Sequence, residues 1–262
     1  MIQIQPTGSY FNIDTDGYLI NPASLDNIQP EYQAVIQDVI NLYKEKYGDA
    51  LKQVYLRGSV AKGQAIPYIS DLDTFAYVDE SAEYLKENST NRKMRAHIEE
   101  KYDFVNNIEM SADPLSIIEE DYILLNQSVC IYGKPLVIPK MKPGKEMVSH
   151  APNFHNRLVK YKKFLAEESD DEEMKKFCTW VMKGFLRTGF ELTMERSKRY
   201  TRDLYLCYKD FSEYYPEKES EMHQVLHLAL NPTTDKKIIQ DVIDGINNWI
   251  LSEIPKYFDV KR

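Results

Sequence analysis

Hydrophobic residues recur along this chain with two different periods, and each period predicts one kind of element. Between Pro30 and Gly48, apolar residues return every three or four positions, which predicts a helix with one buried face. Short apolar runs predict strands over residues 53–56, 72–78, 104–110 and 129–132. Helical patterns separate these runs, over residues 80–102 and 113–126. Strands that alternate with helices indicate an α/β layer about 140 residues long.

The rest of the chain carries the helical period alone. Residues 135–152 contain four prolines, which is typical of a connector between domains. Beyond it, apolar residues at helical spacing predict helices, one starting near Glu172 and others over 202–214, 218–230 and 235–251. The sequence therefore predicts two domains, residues 1–140 with strands and helices and residues 141–262 with helices only.

Composition places the chain among ordinary folded proteins. Of its 262 residues, 43% are hydrophobic and 28% are charged, which excludes wholesale disorder and a disulfide scaffold. No apolar run approaches the roughly 18 residues of a membrane-spanning helix, and the first residues do not resemble a signal sequence. The three cysteines form no C-x-x-C pair, which favours a reducing compartment. We expect a cytoplasmic protein with no membrane partner.

The negative charge is concentrated in the first predicted domain. The whole chain carries a net charge of −8, and residues 1–140 hold 12 Lys and Arg against 21 Asp and Glu, a balance of −9. Proteins that bind nucleic acid through its phosphates usually contain more Lys and Arg than Asp and Glu. A nucleic acid partner is therefore not expected, and a cationic or metal-bridged ligand is favoured.

Two short segments, Gly58-Ser59 and Asp71-Leu72-Asp73, carry the candidate chemistry. The candidate metal-binding carboxylates lie in the second segment. Because side chains alternate along a strand, Asp71 and Asp73 project from the same face. Two carboxylates on one face need a raised pKa or a cation between them. Hard oxygen ligands suit Mg²⁺, which proteins hold through one or two carboxylates together with substrate phosphates. This pair therefore predicts a magnesium site.

The first segment, Gly58-Ser59, ends the preceding predicted strand in a tight turn. Glycine lets the backbone approach a ligand closely, and the N–H groups of a following helix favour a phosphate. A phosphate-binding turn beside a carboxylate pair is what a metal-assisted phosphoryl or nucleotidyl transfer needs.

Gly58-Ser59, eleven intervening residues and then Asp71-Leu72-Asp73 resemble the signature of the DNA polymerase β-like nucleotidyltransferase superfamily. The fuller pattern, Gly-Ser-x-Ala-x-Gly followed by Ser-Asp-Leu-Asp, is similar to small bacterial members such as aminoglycoside adenylyltransferases. The resemblance implies an α+β nucleotidyltransferase domain with a mixed sheet, followed by an all-α helical bundle domain. It covers residues 56–78 only and says almost nothing about the acceptor.

The resemblance also implies roles for individual residues. Asp71 and Asp73 would hold Mg²⁺, Gly58 and Ser59 would contact the β- and γ-phosphates of a nucleoside triphosphate, and Ser70 would add a hydrogen bond. Relatives carry a third carboxylate on a neighbouring strand, and Glu109 is the candidate. It would bind a second metal ion or take the proton of the attacking hydroxyl. An exposed strand carboxylate is the alternative interpretation of Glu109.

The resemblance further implies that a cation from the helical domain reaches the triphosphate. Lys183, Arg187 and Arg202 are the candidates, since charge develops on the phosphate oxygens during transfer. A solvated basic helix face is the alternative for Lys183 and Arg187. For Arg57, a pairing with an acid of the sheet and a catalytic role stay equally open.

The predicted function is transfer of a nucleoside monophosphate, with AMP from ATP as the expected case, to a hydroxyl of a small molecule, with pyrophosphate released. Two Mg²⁺ ions would flank the attacked phosphorus. An aminoglycoside-like antibiotic is the candidate acceptor, because a polycation is drawn to an acidic domain. The alternatives are a nucleotidyltransferase that modifies a protein or an RNA, and a catalytically silent nucleotide-binding regulatory protein. The acceptor, the base preference and the oligomeric state stay open.

Overall fold

A computed structural model describes residues 3–80, 89–167 and 170–258, and for residues 89–94 the backbone alone. The chain divides into two compact units. The first, here called the sheet unit, consists of Asn12–Asp14 and Leu19–Met141. The second, here called the helical unit, consists of the residues up to Phe11, the segment Thr15–Tyr18 and the residues from Lys142 onward.

The sheet unit combines a short sheet with helices and 3₁₀ turns. Its strands are β1 (Leu51–Arg57), β2 (Leu72–Val78), β3 (Ile108–Pro114) and β4 (Val129–Tyr132). Its helices are α1 (Gln33–Tyr47), the single turn α2 (Gly58–Ala61), α3 (Ser89–Lys101) and α4 (Tyr122–Leu125). Three-residue 3₁₀ turns at Leu25–Asn27, Pro30–Tyr32 and Gly48–Ala50 flank α1, and a longer one covers Leu115–Asp121.

The strands lie in the order β3-β2-β1-β4. The pair β2 and β3 is parallel, and β1 is antiparallel to both β2 and β4. The mixed sheet that the sequence predicted is therefore confirmed.

Two predicted elements lie at different positions in the structure. The strand expected over 104–110 is Ile108–Pro114, because Phe104 and Val105 pack into the core from the loop that precedes it. Of the helix expected over 80–102, Ser89–Lys101 is helical, and residues 81–88 lie outside the described residues.

The two faces of the sheet pack differently. Leu72 and Ala76 belong to the large core that includes α1, whereas Phe75 and Tyr77 join Tyr55 and Leu125 in a smaller aromatic cluster. Since side chains alternate along β2, Asp71 and Asp73 share the face of that aromatic cluster. The position of the carboxylates thus follows from the strand's apolar pattern.

The helical unit contains α5 (Phe154–Glu167), α6 (Asp171–Glu191), the short turn α7 (Met194–Ser197), α8 (Leu204–Tyr214), α9 (Glu219–Leu230) and α10 (Lys236–Tyr257). Short 3₁₀ turns lie at Lys145–Met147 and Pro216–Lys218. The helical domain is therefore confirmed. The sequence analysis expected the chain after residue 152 to be helical but gave helix α5 no bounds of its own; its buried residues Phe154, Leu158, Tyr161 and Leu165 recur at helical spacing.

The first residues of the chain lie in the helical unit, whereas the predicted division grouped them with the strands. The Phe11 amide donates to the carbonyl of Tyr200 (2.8 Å), and the Ser9 amide donates to Asp203 Oδ2 (2.8 Å). The chain passes from the sheet unit to the helical unit between Met141 and Lys142. Among the described helices, none is long and apolar enough to cross a membrane.

Candidate active site

Three charged residues form one row across the sheet. Arg57 at the end of β1 is the register partner of Asp73 on β2, and Asp73 is the register partner of Glu109 on β3. Because residues opposite one another in neighbouring strands point to the same face, the three side chains lie side by side. The pairing of strands therefore brings Glu109 to the carboxylate pair, as the sequence predicted.

One nitrogen of Arg57 joins both carboxylates. Its Nη2 lies 3.1 Å from Asp73 Oδ1 and 2.7 Å from Glu109 Oε2. The exposed fraction of the side chain is 33% for Arg57, 17% for Asp73 and 49% for Glu109, so Asp73 lies deepest. The guanidinium thus occupies the position between two carboxylates.

The environment of Asp73 raises its pKa to about 7. Burial is the main cause, and Arg57 opposes it by stabilising the charged form. Hydrogen bonding to Glu109, and then the negative charges of Glu109 and Asp71, raise the pKa further. Asp73 therefore holds a proton near neutral pH unless additional positive charge arrives.

Asp71 is held at the start of β2 by the loop before β3. Asn106 Nδ2 donates to Asp71 Oδ1 (2.9 Å), and the Leu72 amide donates to the Asn107 carbonyl (2.8 Å). Since the charge of Asp71 acts on Asp73, the three predicted carboxylates converge on one region of the sheet.

The donor set fits a hard divalent cation. Carboxylate oxygens are the ligands that Mg²⁺ prefers, and Asp71, Asp73 and Glu109 supply them. Within the described residues, no group of three or more Asp, Glu, His or Cys side chains is already arranged around a metal position. The Arg57 guanidinium lies between Asp73 and Glu109.

Gly58 cannot carry a side chain at this position. Its φ is +78°, in the left-handed region that favours glycine. A Cβ placed on Gly58 would lie 2.2 Å from Asp73 Oδ2. The glycine thus lets the backbone of the turn approach the Asp73 carboxylate directly.

The two predicted serines are used differently. The Ser59 carbonyl closes the turn by accepting from the amides of Lys62 (3.2 Å) and Gln64 (2.9 Å), and its hydroxyl has no partner among the described residues. Ser70 Oγ instead accepts from the Ile66 amide (2.9 Å) and stabilises the loop before Asp71. A phosphate contact by Ser59 or Ser70 stays a prediction.

A buried hydrogen-bond network behind the row was missed by the sequence analysis. Thr74 Oγ1 donates to the Glu109 carbonyl (2.8 Å), and Tyr43 of α1 lies 3.2 Å from the same Oγ1 and donates to the Ser111 carbonyl (3.0 Å). This network fastens β3 to β2 beside Glu109. The only sequence signal was a polar residue, Thr74, at a core position of an apolar strand.

In the helical unit, two of the predicted cations lie together with a third arginine that was not predicted. Burial first, and then the positive charges of Arg202 and Arg157, lower the pKa of Arg187 to about 10. Its Nε is buried without a hydrogen-bond partner among the described residues. Lys183 lines a shallow groove with Lys176 and Trp180. The structure therefore groups Arg187 with Arg202 and Arg157.

The segment that contains the row matches a known family of protein domains. Residues 36–125 match the family model described as the nucleotidyltransferase domain, and this segment includes Gly58, Asp71, Asp73 and Glu109. The chain carries a nucleotidyltransferase domain. The predicted superfamily and enzyme class are thereby confirmed.

One solved structure matches most of the chain at low sequence identity. A solved structure, spectinomycin adenyltransferase AAD(9) from Enterococcus faecialis with ATP and spectinomycin, matches with 13% identity and a TM-score of 0.43. The match covers 85% of this chain and 98% of that one. None of the curated proteins compared with the chain matches it.

Proposed function

We propose that this chain transfers a nucleoside monophosphate, AMP from ATP, to a hydroxyl of a small molecule and releases pyrophosphate. The observation that carries this proposal is the row in the nucleotidyltransferase domain, where Asp73 and Glu109 flank one cation position beside the Gly58-Ser59 turn. Asp71 on the same face completes the set of carboxylates.

Asp71, Asp73 and Glu109 would hold magnesium, which would polarise the phosphate and neutralise charge on its oxygens. The remaining roles belong to the chain itself. Glu109 is half-exposed and takes the proton of the acceptor hydroxyl. The hydroxyl oxygen bonds to the α-phosphorus, the bond from that phosphorus to the bridging oxygen of the β-phosphate breaks, and pyrophosphate leaves.

Two serines of the sheet unit would bind the triphosphate. The free hydroxyl of Ser59 donates to a phosphate oxygen, and Ser70 adds a second donor, since its oxygen accepts from Ile66 while its own hydrogen stays available. In the helical unit, Arg187 and Arg202 with Arg157 form the cationic cluster that suits phosphate oxygens. Lys183, which lines a groove with Lys176 and Trp180, is the weaker candidate.

The acceptor that this unit favours is a cationic small molecule such as an aminoglycoside-like compound. The balance of −9 over residues 1–140 supports this choice, because a negative domain attracts polycations. The same balance argues against RNA as the acceptor.

The test is a pyrophosphate-release assay of the full chain with each nucleoside triphosphate, Mg²⁺ and a library of cationic and neutral hydroxyl compounds. We expect Asp73→Asn to lower turnover at least about a hundredfold, as removal of charge stabilisation at a reacting centre typically does. Asp79→Asn is the matched control, because Asp79 pairs with Lys52 (2.8 Å) just beyond the other end of β2.

Undiminished turnover in Asp73→Asn would refute the assignment of the row. Mg²⁺-dependent nucleotide binding without pyrophosphate release for any acceptor would identify a silent nucleotide-binding protein instead. Circular dichroism of both variants shows whether the fold is retained.

A further inference from the structure

Arg57 is the group in this site whose position the proposed function does not yet explain. It directly precedes the Gly58-Ser59 turn, and its guanidinium reaches past β2 to the carboxylate on β3. We propose that Arg57 is a built-in counter-cation, which a divalent metal must displace from Asp73 and Glu109 before it can bind. This inference rests on the proposed function, because it assumes that these carboxylates hold the metal.

The contacts place the guanidinium where a metal would bind. A single nitrogen, Nη2, contacts one oxygen of Asp73 and one of Glu109, at 3.1 and 2.7 Å. A cation held by Asp73 and Glu109 would need these carboxylates as ligands, because Mg²⁺ prefers carboxylate oxygens. The guanidinium and the metal therefore compete for one position.

Charge explains why the position is filled by the chain itself. The negative charges of Asp71 and Glu109 both act on Asp73, and ionised carboxylates in such a group are costly without a cation. Arg57 supplies one positive charge and cannot lose it near neutral pH. It thus stabilises the row in the free protein.

Charge also explains why the two cations exclude each other. A guanidinium and a divalent ion within a few ångströms repel strongly, so both cannot bridge the same carboxylates. One third of the Arg57 side chain is exposed, which gives the guanidinium a path toward solvent when it is displaced. Binding of a free metal ion then requires that the ion replace the Arg57 guanidinium, and this exchange sets the affinity of the site for the metal.

The direct test is Mn²⁺ binding to the full chain without nucleotide, measured at pH 7.5 by the electron paramagnetic resonance signal of free Mn²⁺. We expect Arg57→Gln to bind Mn²⁺ at least about tenfold more tightly than the wild type, because the competing charge is gone. Lys52→Gln is the matched control on the same strand. Lys52 pairs with Asp79 instead (2.8 Å), so Mn²⁺ affinity should stay at the wild-type value.

A second measurement uses the wild-type protein and does not depend on the folding of Arg57→Gln. In ¹⁵N spectra of arginine side chains, the Nε resonance of Arg57 is assigned as the signal that disappears in Arg57→Lys. This resonance should shift when Mg²⁺ is added, and the midpoint of the shift should equal the midpoint of metal binding. The displaced guanidinium loses two carboxylate partners, and its Nε reports this change.

The outcomes separate this inference from the proposed function. Equal or weaker Mn²⁺ binding by Arg57→Gln, or an Arg57 resonance that does not move at saturating Mg²⁺, would overturn the counter-cation while the metal site stands. Absence of Mn²⁺ binding at millimolar concentration in both proteins would overturn the metal site and the inference with it.

Discussion

The row in the sheet unit and the arginine cluster in the helical unit each contain a partly buried charged residue, Asp73 and Arg187, but the charges around these two residues differ. In the row, the signs alternate, so that Arg57 partly neutralises Asp73 and Glu109. In the cluster, the positive charges of Arg157 and Arg202 act on Arg187, and its buried Nε has no hydrogen-bond partner among the described residues. The pKa of Asp73 rises to about 7 and the pKa of Arg187 falls to about 10, both toward the neutral form.

The row and the cluster differ in the charge of the ligand that each one favours, a cation for the row and an anion for the cluster. The row is balanced by its own strand register, and a ligand cation has to replace a charge that is already there. In the cluster, the positive charges of Arg157 and Arg202 act against that of Arg187, so an anion would relieve repulsion when it binds. Removing the charge of Arg187 should therefore stabilise the cluster, and the following variants test the row and the cluster in turn.

The largest effect is expected from Gly58→Ala, which breaks the row. Its Cβ would lie 2.2 Å from Asp73 Oδ2, and its φ of +78° disfavours any side chain. We expect the free energy of unfolding to fall by about 3 kcal/mol and pyrophosphate release to fall at least about a hundredfold. Gly17→Ala is the control in urea unfolding, because it shares a positive φ (+84°) but its Cβ would meet no atom within 4 Å. An equal effect at both glycines would show that backbone strain alone is responsible.

The second effect is a pH dependence of stability that belongs to Asp73. Its pKa in the folded protein, about 7, is above the usual value of 3.8. The folded state therefore keeps the proton more tightly, and this contribution is present at low pH and is lost as pH rises through about 7. Between pH 5 and 7, the wild type should lose about 2 kcal/mol of unfolding free energy relative to Asp73→Asn.

This measurement requires urea unfolding with a chelator present, so that no metal binds the carboxylates. Parallel pH profiles for the wild type and Asp73→Asn would contradict the raised pKa. Asp79→Asn should follow the wild-type profile.

The third effect is a gain of stability in Arg187→Met. A half-buried cation with an unpartnered Nε is replaced by an apolar side chain, which should raise the unfolding free energy by about 1 kcal/mol. The affinity for pyrophosphate, measured by calorimetry, should fall about tenfold because one charged hydrogen-bond donor is lost. Lys183→Met, one helical turn earlier, should change stability by less than about 0.5 kcal/mol. A loss of stability in Arg187→Met would show that the cluster is already neutralised.

The smallest effect is expected at the network behind the row. Tyr43→Phe removes the bonds to Thr74 and to the Ser111 carbonyl and should cost about 1 kcal/mol. Tyr32→Phe is a close control, because Tyr32 lies in the same core and its buried hydroxyl has no hydrogen-bond partner among the described residues. Thermal unfolding should show a loss only for Tyr43→Phe, and equal losses would exclude a role of the network.

Local patterns in the sequence were sufficient for the fold class and for the outline of the site. The spacing from Gly58-Ser59 to Asp71 and Asp73 identified the superfamily, and the alternation along β2 placed both carboxylates on one face. Such signals survive in a single sequence because they depend on residues a few positions apart. Glu109 was reachable only through the resemblance, since nothing local distinguishes it from an exposed strand carboxylate.

The sequence by itself determined which side chains are available and on which face of an element they lie. Only the tertiary structure decided their partners: Arg57 bonds a carboxylate 52 positions away, and the charge of Arg187 meets those of Arg157 and Arg202. Strand register and helix packing set these contacts, and both arise from many weak interactions spread over the whole core. The periods of a strand and a helix can be read within a few residues, whereas the pairing of two charges depends on the entire fold.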